Sequence, residues 1–165
     1  MTLMNESQVL LDSRDVRAEA LGNAIATAWH RAPRTDVIAT LAEAVKPFHD
    51  AHPEGAVLLI VPTLDAPDEA ARRELQAFLQ RLGKSLLAAA VVLPITGVKG
   101  TIIRTAASGA VAAMRLPFPV RIVSSPSDAS AYAADTLTKK FGSVVRASDI
   151  EQLLRRATAP FSDAP

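Results

Sequence analysis

A chain of 165 residues and 17.4 kDa has the size of one domain, or of one domain with a tail. Its 18 basic and 17 acidic residues leave a net charge of +1, which excludes the cationic footprint of a dedicated nucleic-acid binder. The 49% hydrophobic content excludes a disordered tail, and the lack of cysteine excludes disulfides, thiol catalysis and cysteine metal sites.

The chain contains 31 alanines and only 4% aromatic residues, so much of its apolar fraction is small side chains. We expect that alanine mainly on helices flanking a sheet, where small side chains permit close packing. The first residues carry neither the basic nor the apolar segment of a secretory signal. The longest uncharged stretch, residues 85–98, is shorter than the roughly 20 residues of a membrane helix and contains Pro94. The expectation is a soluble cytoplasmic protein without membrane insertion.

Residues 8–12 form a short apolar run, a first strand or a lead-in to the domain. Residues 16–30 predict an antiparallel hairpin turning at Leu21-Gly22-Asn23, with Ala24, Ala26 and Ala28 alternating against Ile25, Thr27 and Trp29 as in a half-buried strand. Thr35 is placed to cap a helix whose stripe is Val37, Ile38, Leu41, Val45 and Phe48, and Pro47 should kink or end it. The run 56–61, bounded by Gly55 and Pro62, predicts a strand buried on both faces. A second helix follows, capped by Asp65 or Ala66, with Pro67 in its first turn. Its stripe runs from Ala71 to Leu86, and Asp68–Arg72 and Glu69–Arg73 pair on the other side.

A strand is predicted over 88–95, followed by a turn at 96–101 and a helix of small residues reaching Met114. That helix is apolar nearly all round, which requires a cover from the C-terminal helix or from another subunit. A short strand at 120–123 leads through Ser124–Asp128 into a further helix. Residues 141–146 read as a linker or small strand, and Ser148-Asp-Ile-Glu151 as a capping box opening an amphipathic tail helix. The predicted fold class is α/β: an opening β-hairpin, then alternating helices and mainly parallel strands, then a C-terminal helix. Residues 1–140 form the domain, with 1–15 as lead-in, and 141–165 the linker and helix.

The order strand–strand–helix–strand–helix–strand–helix–strand–helix over about residues 16–139, with Thr96-Gly97 ending a strand, Arg104 on the next helix and the strand Pro117–Val123, resembles the STAS domain of anti-sigma-factor antagonists, in particular its divergent bacterial relatives of unassigned function. The resemblance implies a non-enzymatic regulatory domain that binds a partner protein. In regulatory members a kinase modifies a serine or threonine at a helix start, in an Asp-Ser-Ser/Thr-Gly type motif. Here the corresponding loop, residues 62–68, lacks the Ser-Gly pair, and Thr63 is its only hydroxyl and the candidate phosphosite. Asp65, Asp68 and Glu69 already fill that loop with negative charge, and ordinary helix-cap chemistry accounts for them.

The most site-like stretch is Gly97-Val-Lys-Gly-Thr101 with Arg104, a candidate anion- or ligand-binding site built from Gly97, Lys99, Gly100, Thr101 and Arg104 at a helix start. It is not a Walker loop, and a glycine turn that lets helix and strand pack closely is the favoured explanation. His49, His52, Asp50 and His30 are the metal-ligand candidates, but flanking prolines and the missing third ligand favour solvated histidines. Ser108-Gly109 lies mid-helix without a nucleophile elbow, and the carboxylates read as caps and pairs, so no catalytic set is visible. The expectation is a non-enzymatic protein-interaction domain with no cofactor, binding a protein partner or a second copy of itself as a homodimer. The alternative is a small-molecule, anion or lipid-binding module of similar topology.

Overall fold

A computed structural model of the chain describes residues 6–142 and 145–161. The fold is α/β, a six-stranded mixed sheet in the spatial order β1-β2-β3-β4-β5-β6, carrying five helices among the described residues. Strands β1 (Gln8–Asp12), β2 (Val16–Leu21) and β3 (Ala24–Trp29) form an antiparallel meander, and β4 (Ala56–Val61), β5 (Leu86–Val92) and β6 (Val120–Val123) extend it in parallel. Gly22 takes the left-handed φ of +54° that a two-residue hairpin turn requires, and Asn23 Nδ2 anchors the turn to the Gly55 carbonyl at 2.7 Å. The run at 8–12 is therefore a strand, the edge of the sheet.

Stepwise parallel growth in one direction sends successive right-handed crossovers to the same face. Accordingly α1 (Thr35–Ala51) and α2 (Glu69–Leu82) pack together on one face, through Ile38, Leu41, Val45, Phe78 and Leu79. The other face is covered by α4 (Pro126–Phe141) and α5 (Ala147–Thr158), which bring Leu137, Ile150, Leu153 and Leu154 against Leu21, Val57 and Leu59. The tail helix thus docks within its own chain, on β2, β3 and α4. Double coverage is why β3, expected to be half-buried, is buried at every position.

Alanine lies mainly on the helices, as expected, but the alanine that is buried lies mostly in the strands. Nine buried alanines belong to strands (18, 20, 24, 26, 28, 56, 88, 89 and 90) and four to helices (71, 129, 133 and 157). Small side chains on both faces of the sheet let both helical layers approach closely.

Several local features depart from the sequence pattern. Arg34, in extended conformation, precedes α1, and Thr35 is its first helical residue. Pro47 does not end α1, which continues to Ala51. Its ring lies on the exposed side, while the buried Phe48 stacks on His52 at 4.0 Å and ties the last turn to the core. Asp68, not Asp65 or Ala66, caps α2, its carboxylate accepting from the Ala71 amide at 2.7 Å, so Pro67 precedes the helix. That carboxylate is thereby turned to the backbone instead of Arg72, while Glu69 and Arg73 do pair. Leu86 belongs to β5 because α2 stops at Leu82, where Gly83 lies so close to Pro117 that a Cβ would stand 2.2 Å from Pro117 Cγ.

In the tail, Arg146 replaces Ser148 as the residue before α5; its guanidinium bonds Asp149 at 3.2 Å, and the expected capping box does not form. Residues 143 and 144 of the linker lie outside the described residues.

Candidate functional site

The predicted turn at 96–101 is not a loop: α3 (Gly97–Met114) begins at Gly97, directly after Thr96. Gly100 is the one buried residue of α3, and its missing side chain is what allows the close approach. A Cβ there would stand 2.0 Å from the Ile95 carbonyl oxygen. The glycine therefore lets the first turn of α3 fold tightly against the Ile95 carbonyl of the segment that leads into it. Gly100→Ala is expected to cost about 1–3 kcal/mol through overpacking, offset by about 1 kcal/mol of helix propensity. A lower urea midpoint with an unchanged slope would check it.

Of the residues singled out for ligand binding, the structure brings only Arg104 into a cleft. Gly97, Lys99 and Thr101 are exposed, and the Thr101 hydroxyl donates to the Gly97 carbonyl of its own helix at 3.3 Å. Arg104 Nη1 donates to the Ile95 carbonyl oxygen at 2.5 Å, which fixes the guanidinium beside Gly100 at the mouth of an open cleft of about 520 Å³. This cleft lies at the carboxyl end of β6 between α3 and α4, the end of parallel strands where ligands sit in α/β sheets. Its other charged walls are Arg121 of β6 and Asp128 and Asp135 of α4, with Ser124 and Tyr132. Arg121 lies over the Tyr132 ring, 4.3 Å from its centroid.

These partners were missed in the sequence because they lie 17 to 31 positions beyond Arg104 and converge only through the β6 edge. The spacing of Asp128, Tyr132 and Asp135 along one side of α4 was the available signal.

A second cleft of about 290 Å³ separates the C-terminal half of α3 from β6, lined by Val111, Leu116, Phe118, Val120 and Ile122. Gln76 and Gln80 of α2 donate to the Met114 carbonyl at 3.3 and 3.5 Å and hold that end of α3. The helix is therefore tied at one end to Ile95 and at the other to α2, and most of its surface is uncovered. Val98 is 78% and Ile102 63% exposed, and Ala106, Ala110, Ala112 and Ala113 are exposed with them. The cover expected from the tail helix does not exist, since α5 lies on the opposite face of the sheet.

The remaining candidates are scattered. Thr63 follows β4, its hydroxyl donating to the Asp65 carbonyl at 3.5 Å. His49 lies 2.5 Å from the Ser85 hydroxyl through Nδ1, and His52 Nδ1 lies 2.8 Å from the Phe48 carbonyl oxygen. Among the described residues no group of three His, Cys, Asp or Glu is placed to hold a metal ion. Trp29 lines a small apolar cavity of about 70 Å³ between α1, α2 and the sheet, well below the ~300 Å³ of an ordinary ligand site.

Resolved pKa shifts belong to surface pairs away from both α3 clefts. The Arg34–Asp36 hydrogen bond raises the arginine and lowers the carboxyl, and Asp50 raises Lys46. Glu54 is lowered first by its backbone amide and then by Asn23. Among the described residues no helix is long and apolar enough to cross a membrane. Compared with models of protein families, with curated proteins and with solved structures, the chain matches none of them.

Proposed function

We propose that the protein is a non-enzymatic, regulatory interaction domain of STAS type, working in the cytoplasm, and that its docking surface is the outward face of α3. The observation that carries this reading is α3 itself: 18 residues, largely apolar, with one residue buried and Val98 and Ile102 standing in solvent. Apolar surface concentrated on one element, with no charged residue from Thr105 to Met114, gains free energy when a partner covers it. Alanine and glycine at 106, 107, 109, 110 and 113 let a partner backbone come close. The partner is a protein with a complementary apolar face, or a second copy of this chain.

Affinity capture from native lysate with the full-length chain and with Ile102→Glu tests the proposal. Because Ile102 is exposed, the variant is expected to keep its thermal midpoint within the error set by about 0.5 kcal/mol. Loss of a stoichiometric partner with that variant supports the reading, and light scattering tells whether the partner is a second copy. Equal recovery by both chains contradicts it. A second reading, a small-molecule, anion or lipid-binding module, is favoured by the cleft that Arg104 and Arg121 share.

A further inference from the structure

We propose that the cleft between α3 and α4 binds a phosphate monoester, with the phosphate held between the guanidinium groups of Arg104 and Arg121. This rests on the ligand-binding reading of the cleft and names its ligand class. Four observations support it. First, both arginines border one open cleft of about 520 Å³, within the size range of small-molecule sites. Second, neither is neutralised: among the described residues no carboxylate lies within ion-pair distance of Arg104 or Arg121. Arg104 spends one donor on the Ile95 carbonyl, and Arg121 rests on the Tyr132 ring, which leaves the other donors of both planar forks free for phosphate oxygens.

Third, the acidic wall is partly occupied. Lys139 holds Asp135 at 2.9 Å, so Asp128 is the one carboxylate of the cleft that opposes an anion. Fourth, the orientation of Arg104 is built in by the Gly100 approach, so little side-chain freedom is lost on binding. The end of α4 is not what makes the site, because Ser125 Oγ already accepts from the Asp128 amide at 3.1 Å. The arginines supply the charge. Ser124 and Asp128 face the space an ester's hydroxyl-bearing part would occupy.

The test is an amide-resolved NMR titration of the full chain with glycerol 1-phosphate, with uncharged glycerol and with ethanolamine, beside co-sedimentation with vesicles containing phosphatidic acid, whose headgroup is itself a phosphate monoester. Glycerol 1-phosphate should move the amides of Ile122–Ser125, glycerol should not, and Arg121→Gln should weaken the interaction about tenfold or more. Arg121 is exposed, so that variant folds; Arg104→Gln should act in the same direction. Asp128→Asn should tighten binding several-fold by removing the opposing charge.

Binding of vesicles but not of the free ester, lost with Arg121→Gln, assigns the phosphate to a lipid headgroup and supports the same site. Shifts with ethanolamine alone would overturn the phosphate proposal and leave a ligand-binding cleft standing. No shift with any probe, or shifts that Arg121→Gln leaves unchanged, would overturn both.

Discussion

Cutting the chain after Gly142 is expected to abolish cooperative folding. Such a cut removes α5, whose Ile150, Leu153 and Leu154 are fully buried against β2, β3 and α4. At about 2 kcal/mol of hydrophobic free energy for each large side chain, these three alone contribute about 6 kcal/mol. That is comparable with the roughly 5–15 kcal/mol by which a domain is stable at all. The cut would also uncover Leu21 of β2 and leave Ala24, Ala26 and Ala28 of β3 facing water. The single change Leu153→Ala is expected to cost about 2–5 kcal/mol, because Leu153 is fully buried and its packed surroundings can close only part of the cavity it would leave. A urea titration of both chains checks this. A truncated chain that unfolds in one steep transition at the wild-type midpoint would show that α5 is an appendage.

The second large effect is expected at Glu19. Its side chain is 2% exposed, between Arg17 of its own strand and Arg156 of α5, with N···O separations of 3.6 and 3.7 Å. Glu19 Oε2, Arg17 Nε and Arg156 Nε have no hydrogen-bond partner, so the charges compensate one another through space without bonding. Such a cluster is asymmetric. Arg156→Met strips a buried carboxylate of a counter-charge and is expected to destabilise by about 1–3 kcal/mol. Glu19→Met leaves two arginines that reach solvent along their stems, and is expected to be neutral or mildly stabilising. In the Glu19→Met background Arg156→Met should then cost almost nothing, a coupling that a double-mutant cycle of unfolding free energies measures directly. Additive costs would mean that Arg156 acts only by packing.

Both expectations depend on something that could not be seen in the residues one segment at a time. The period-2 and period-3.6 patterns did locate the hairpin at Gly22-Asn23, the strand at 56–61 and the apolar stripes of α1 and α2, since each is decided by local chemistry. Arg17 and Glu19 alternate with Ala18 and Ala20 as a solvent-facing edge would. Only the return of α5 to that face buries them. The same long-range event turned β3 from a half-buried into a fully buried strand.

Helix starts were displaced by two or three residues for a related reason. Asp65 and Asp68 are chemically equal caps, and the choice falls to Asp68 because its carboxylate meets the Ala71 amide. For the candidate site, the small-residue helix was legible and its burial was not: composition shows that α3 is apolar all round, while its position on a four-stranded parallel edge with little beneath it is a property of the topology. Arg104 was visible as a residue near a helix start, but Arg121 and Tyr132 are brought to it by the turn from β6 into α4.

The proposed docking surface is the outward face of α3. Hydrogen exchange of the full-length chain, free and in complex with the partner it captures, tests it most directly. Slowed exchange concentrated in α3, with α1 and α2 unchanged, is the predicted result. Protection at α1, α2 or the β1 edge, with α3 exchanging as in the free chain, would contradict it.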